Sequence, residues 1–459
     1  MSAEAITPPP LNAKTRRSRW RLFLKLFLAF LVVFALWACW FFHDGPLPDD
    51  ADLMYTYKPV PEAQNAWPLL AQLGLRADQF YDLAPRGAEY DVTLDLPLVE
   101  KYLDAQKEVF AQATEILRAR QLPESNPASQ TSEVNEAPLD FVAEYLVLQG
   151  QDFLIRHQWD SSLSSAAQLF ELAGKSIRAD IPLAMKIEMR GLFLLSKILN
   201  DPQTPHDIIA KALLAIPASG WAFGIIPEMG SEYTRFKIAL IDRGVSPKGF
   251  FDNPAMFITS DGWRFLLTYI EILPHRTVIL FGDDIRAIEK FRELPYSQLA
   301  QYFSLKNSSE LRFRQEKVRN GWSVLFQRNG GGVALEQSRF LGMLENVQTA
   351  YQIEAVTQVV RVALAVRLNW DDTGKLPETL STLTPKYLPV SPVDPFDGKP
   401  MRYSAQKSAV YSVSMNFWND LVPSTYADVF TWRYGMSNIL QPMLALTFAQ
   451  TASSPGAKQ

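Results

Sequence analysis

The chain has 459 residues, a formal net charge of −4 and a pI near 5.8. Its length allows more than one domain, and 47% hydrophobic and 12% aromatic residues suffice to build real cores. The acidic balance excludes a general nucleic-acid binder, and the single cysteine, Cys39, excludes an internal disulfide, a Cys-ligated zinc site and thiol catalysis by the rest of the chain.

Residues 1–21 are proline-rich and then basic, and read as a cytoplasmic tail that grips anionic headgroups. Residues 22–42 read as a transmembrane helix. Leu26–Phe42, LFLAFLVVFALWACWFF, carries no charge. At about 1.5 Å per residue it nearly crosses a hydrocarbon core of about 30 Å, and Leu22–Leu24 complete the span if Lys25 snorkels. Lys14, Arg16, Arg17, Arg19, Arg21 and Lys25 precede the apolar run; Asp44, Asp49, Asp50 and Asp52 follow it. The positive-inside rule then places the N-terminus in the cytoplasm and the bulk of the chain outside it. Trp37, Trp40, Phe41 and Phe42 stand where a signal peptidase needs small residues, so a retained anchor is expected. Leu36-Trp37-Ala38-Cys39 fits a lipidation box at Leu36 and Ala38 but not at Trp37, and Cys39 reads as one more apolar side chain.

Residues 43–62, with Pro46, Pro48, Pro59 and Pro61, read as an extended linker that lifts the following domain off the membrane. Residues 63–330 read as an α-helical domain. The apolar spacing predicts helices from about Asn65 to Gly74, Leu98 to Arg118, Leu139 to Arg156, Ser161 to Ala179 and Pro182 to Leu199. Residues 121–138 read as a loop, and His157–Asp160 as the break in an antiparallel helix pair. Thr204-Pro205 predicts the next helix, with Thr204 as N-cap and Pro205 in first position. Further helices are expected near 226–242, 261–273, 275–293 and 309–327, punctuated by Pro274 and Pro295. Asn329-Gly330-Gly331-Gly332 reads as a hinge, because no Lys-Ser/Thr follows to make it a phosphate loop.

A long helix is expected from about Glu336 to Trp370, within a module at 336–430. It is followed by Gly374-Lys375-Leu376-Pro377 and Leu383-Thr384-Pro385-Lys386-Tyr387-Leu388-Pro389. Then come Asp394-Pro395-Phe396-Asp397-Gly398-Lys399-Pro400-Met401-Arg402-Tyr403 and Val410-Tyr411-Ser412. Gly374 stops the helix, Pro377 and Pro389 bracket a short helix near Glu378–Leu383, and Asp394–Gly398 is a turn. Met401–Ser404 and Ala409–Ser414 alternate like a β-hairpin whose Tyr403 and Tyr411 pack inward. Residues 429–449 are apolar and read as a terminal packing helix or a segment lying on the bilayer surface; 431–459 form the C-terminal segment.

This ending resembles the C-terminal half of the major pseudopilins of type II secretion, and that of single-pass bacterial membrane proteins with the same ending behind a large helical region. The resemblance covers about residues 340–420. It implies a long helix carrying a small hairpin module. The chain departs from pseudopilins in having its apolar N-terminal helix some three hundred residues upstream and no prepilin-peptidase site. The family's calcium-holding loop would fall at Asn416–Asp420, where Asp420 is the one carboxylate unless Asp428 joins it, too few for calcium.

His43, His157, His206 and His275 fall in separate segments without metal-ligand spacing, and Asp283-Asp284 and Asp371-Asp372 are adjacent acids that face different ways on a helix. No catalytic, cofactor-binding or metal-ligating residues are assigned, and no cofactor is expected. The fold class expected is mainly α: an N-terminal transmembrane helix, a large α-helical extracytoplasmic region and a small C-terminal α+β module. The expected location is the inner membrane, single-pass, with the bulk periplasmic. The expected partners are the membrane and a protein of the envelope, with no nucleic acid. The expected role is non-enzymatic interaction or scaffolding. The alternatives are an accessory component of a secretion or pilus-like system, or an enzyme of unknown type.

Overall fold

A computed structural model describes residues 13–73, 96–122, 137–177, 180–216, 221–242, 272–291, 294–299, 301, 329–406, 408–413 and 443–446. The helices are α1 (Ala13–Phe42), α2 (Trp67–Gln72), α3 (Leu96–Ala119), α4 (Ala137–Ile155), α5 (Trp159–Ser176), α6 (Ile181–Asn200), α7 (His206–Ala215), α8 (Trp221–Lys237), α9 (Pro274–Phe291) and α10 (Gly330–Thr373). Strands β1 (Arg402–Ser404), β2 (Ala409–Tyr411) and β3 (Met443–Ala445) form one antiparallel sheet in that order. The chain is mainly helical, as its apolar periodicity requires. The helices expected near 261–273 and 309–327, the loop at 121–138 beyond Leu122 and before Ala137, and the loop Asn416–Asp420 with Asp428 lie outside the described residues, as do residues 1–12.

Helix α1 starts at Ala13, so the basic stretch expected as a tail is, from that residue on, the first turns of the apolar helix itself. Trp20–Phe41 is long and apolar enough to cross a membrane and is not enclosed by the rest of the chain. Its aromatic residues stack along the helix at three- and four-residue steps, ending in Trp37 on Phe41 with ring centroids 4.9 Å apart.

Helices α4, α5 and α6 pack sequentially, and α10 lies across α6, α7, α8 and α9. Asp180 starts α6 by accepting the Leu183 N–H at 2.8 Å, with Pro182 in the first turn. Helix α10 is 44 residues, about 66 Å long. Val362, Ala363, Leu364, Ala365 and Val366 are all fully buried, so the helix is covered on every side there. Gly374 ends it at φ 69°, a left-handed conformation that suits glycine, and donates its N–H to the Trp370 carbonyl.

One contiguous apolar cluster runs from Leu53 through α4–α10 to Val410 and Leu446. Three expectations are corrected. Thr204 does not cap α7; its hydroxyl donates to the Ile198 carbonyl at 2.8 Å, and Pro205, extended, precedes the first helical residue. The three glycines are no hinge. They are the first turn of α10, and Asn329, just before them, is left-handed at φ 62°. A Cβ on Gly332 would fall 2.0 Å from the Thr277 hydroxyl and 2.1 Å from the Asn329 amide oxygen, so glycine lets the starts of α9 and α10 meet. Residues 443–445, expected in a terminal helix or a segment lying on the bilayer surface, are a strand added to the hairpin.

The linker expected over 43–62 is extended, but its first half is not a spacer. Asp44 accepts the first N–H groups of α9, from His275 at 2.9 Å and Arg276 at 3.2 Å. An acidic side chain 231 residues upstream of His275 thus caps the start of α9. Asp50, buried, accepts from the Tyr233 hydroxyl at 2.5 Å and the Lys237 ammonium at 2.9 Å on α8. Asp52 takes both arms of the Arg286 guanidinium at 2.8 Å. Leu53 then enters the core, and Gln64 and Ala66 exchange backbone hydrogen bonds with Gln121 at the end of α3. The acids read as topology signals are therefore also the bonds that strap α1 to the bundle.

Candidate functional site

The residues singled out for possible chemistry are dispersed. His43 is exposed. His157 sits at φ 58° with Nδ1 3.9 Å from Asp201, and His206 lies 3.8 Å from both Asp371 and Asp372. The His275 Nδ1 faces the Gly45 carbonyl at 2.8 Å. Asp283 is exposed beside Arg286, while its neighbour Asp284 is half-buried. Asp371 bonds Arg367, and Asp372 accepts from Lys386 at 2.6 Å and from the Tyr387 hydroxyl at 2.5 Å. Those two donors hold the Asp372 carboxyl below the usual carboxylate range and tie the module to the end of α10. Among the described residues, no three His, Cys, Asp or Glu side chains converge where they could hold a metal ion.

The structure gathers other polar groups instead, in a seam through the bundle. Asp140 and Glu144 are one turn apart on α4, and Lys186 and Arg190 one turn apart on α6. Arg190, 2% exposed, reaches Asp140 at 3.0 Å and Glu144 at 3.3 Å, and Lys186 reaches Asp140 at 2.9 Å. Burial first, and the Glu144 charge second, push the neighbouring Tyr102 hydroxyl well above its ordinary range. The signal was present in the sequence: two acids four apart on one apolar helix and two bases four apart on another, each spacing matching a helical face.

On another face of α6, Glu188 is 4% exposed against α10. Burial raises its carboxyl to a pKa of about 8, and the negative charge of Glu354 on α10 adds to the rise. A weak hydrogen bond from the Thr357 hydroxyl, at 3.5 Å, opposes it. Glu354 in turn accepts from Gln358 at 2.7 Å, and Gln358 accepts from Arg361 at 3.2 Å. Burial lowers the Arg361 pKa, against the pull of Glu354. Chemically, Glu188 is a carboxylic acid that keeps its proton at neutral pH inside a helix interface. Nothing in the sequence separates it from an ordinary helical glutamate, because its partner lies 166 residues away.

The third polar centre is Asp394, fully buried at the turn of the C-terminal module. One carboxylate oxygen accepts from the Phe396 N–H at 3.0 Å and the Ser412 hydroxyl at 2.9 Å. The other accepts from the Val413 N–H at 2.9 Å and from Arg402 at 2.7 Å. Its backbone pairs with Lys399 and Gly398. Arg367 plays a comparable part at the far end of α10, where its buried guanidinium donates to the carbonyls of Leu199 and Asp201 at 3.1 and 3.3 Å and to those of Pro202 and Thr204. It thereby closes the end of α6.

All three centres draw partners from within the chain, and Asp394 accepts two hydrogen bonds on each oxygen, which is the geometry of cross-bracing. Comparison with protein-family models, curated proteins and solved structures finds no match to the chain.

Proposed function

We propose that this is a single-pass membrane protein whose residues 44–459 lie outside the cytoplasm and serve as an interaction or scaffold platform of the bacterial envelope. The observation that carries the reading is the coupling of an exposed apolar helix to a cross-braced helical bundle through Asp44, Asp50 and Asp52. An anchor joined so closely to its domain holds a surface at a set place on the membrane. The basic residues before the span and the acids after it support the orientation. A phosphatase fused at Gln459 is expected to be active, and one fused within residues 1–12 inactive; the reverse pattern would refute the orientation. Crosslinking in intact membranes is expected to trap a discrete heteromeric species. A chain that crosslinks only to itself or to nothing, at every crosslinker length, would remove the scaffold role.

A second reading, an accessory component of a secretion or pilus-like machine, is favoured by one feature. The long helix α10 runs through Gly374 into a turn and hairpin braced by Asp394, the arrangement that the pseudopilin resemblance implies. A trapped partner of pilin-like sequence would select this reading over a general scaffold.

A further inference from the structure

The strap fixes more than attachment; it also says which end of the bundle meets the lipid. Helix α1 ends at Phe42, and Phe41, stacked on Trp37, is already only 4% exposed. Asp44 follows immediately and holds the first turn of α9 through His275 and Arg276. Two extended residues reach at most about 7 Å, so the start of α9 lies within one headgroup layer of the end of the apolar helix. Gly332 brings the start of α10 to Thr277 in that same turn. The strap then runs along α9, from His275 at Asp44 to Arg286 at Asp52.

We propose that the bundle stands on the bilayer by the end that carries the starts of α9 and α10, with the outer lipid headgroup layer as the occupant of that surface. The proposal rests on the reading of α1 as a membrane anchor. Arg276 places a cation in the first turn of α9, at that same end.

The opposite end is marked by Arg367, which bonds the carbonyls of Asp201 and Pro202. It lies about 52 Å along α10 from Gly332. The test uses the full chain reconstituted into bilayers of phosphatidylcholine and phosphatidylglycerol, with an environment-sensitive fluorophore on one cysteine and nitroxide-headgroup lipid as quencher. The native Cys39 reports the anchor. In a Cys39→Ser background, Arg276→Cys reports the near end, Arg339→Cys an intermediate height and Gln203→Cys the far end. Quenching is expected to fall several-fold from position 276 through 339 to 203. Equal quenching at 203 and 276 would mean a bundle lying flat, and quenching at Cys39 with none at 276 or 339 would mean a bundle held away from the lipid. Either result overturns the proposal and leaves the anchor standing. Absence of quenching at Cys39 would overturn the anchor reading, and this proposal with it.

Discussion

The bundle and the C-terminal module are held together by opposite means. Around α10, five consecutive residues from Val362 to Val366 are fully buried against several elements at once. Cohesion there is spread over area, at about 25 cal/mol for each Å² of apolar surface removed from water. The module has strands of three residues each, too short to stand alone as a sheet. Its loops converge on one carboxylate, Asp394. The lesson is about redundancy. A bundle with distributed contacts tolerates the loss of any one polar bond, whereas a small loop-rich module that routes its hydrogen bonds through a single side chain does not.

The sharpest way to break this contrast is Asp394→Ala. It leaves the Phe396 and Val413 N–H groups without acceptors and strips one partner from Arg402, at a cost of about 3–5 kcal/mol. The loss is expected to be local. Amide exchange should accelerate in residues 394–413 while α4–α6 keep their protection. Uniform loss of protection across both regions would show that the module is part of the bundle's cooperative unit. Asp394→Asn, which keeps one acceptor oxygen, should cost about half as much.

Glu188 tests the bundle side. Its folded pKa of about 8 lies above its ordinary value near 4.5. The folded state therefore holds a proton that the unfolded chain has released over that interval, and stability falls as pH rises from about 5 to 8, then levels off. The stabilising contribution is fully present below the unfolded pKa and is lost as pH passes the folded one. Glu188→Gln, neutral at every pH, should flatten this slope and leave the protein about 2–4 kcal/mol more stable than the parent at pH 9. Denaturant midpoints measured from pH 5 to 9 decide it; an unchanged slope in the variant would mean that other groups carry the dependence.

The strap falls between the two. Asp50→Asn weakens the acceptor shared by Tyr233 and Lys237, and about 1–3 kcal/mol is expected from the cost of a compromised buried polar group. The measurable sign is earlier proteolysis between Phe42 and Asn65, ahead of any loss of bundle helicity by circular dichroism. Cleavage rates equal to the parent's would show that Asp44 and Asp52 hold the strap by themselves.

How much of this was legible in the sequence follows from range. The helices α3–α6 announce themselves through three- and four-residue apolar steps, and the stop at Gly374 through a glycine after a long periodic run, because those signals are local. The hairpin too was readable from alternation over a few residues. The strap was not. Prolines between Pro46 and Pro61 signal an extended chain equally well whether it is solvated or docked, and docking depends on Tyr233, Lys237, His275 and Arg286, some two hundred residues away. Asp394 was read as a turn former, which it is, but a turn aspartate and a buried fourfold acceptor have the same local sequence. Thr204 misled for a related reason: Thr-Pro before an apolar run fits a cap, and the competing acceptor, the Ile198 carbonyl, belongs to the preceding helix.

The last test is at the hairpin tyrosines, and it bears on which face of the hairpin the bundle holds. The alternation of residues suggested that Tyr403 and Tyr411 both pack inward. The register overturns this, because Tyr403 pairs with Val410 while Tyr411 pairs with Arg402. Directly opposed residues share a face, and adjacent residues on one strand do not. Val410 is fully buried, and Tyr403 packs on the core beside it. Burial raises the Tyr403 hydroxyl to a pKa of about 12, and that hydroxyl has no hydrogen-bond partner among the described residues. Tyr411, half-buried, points to the other side with Arg402. Tyr403→Ala should therefore cost about 2–3 kcal/mol, since it removes a ring from the core. Tyr403→Phe should cost nothing measurable, because the hydroxyl it deletes makes no bond to lose. Tyr411→Ala should stay within about 1 kcal/mol of the parent, the scale of one cross-strand contact. Thermal melts of the three variants read this order directly, and a Tyr411→Ala melt lower than that of Tyr403→Ala would mean that the hairpin presents its other face to α10.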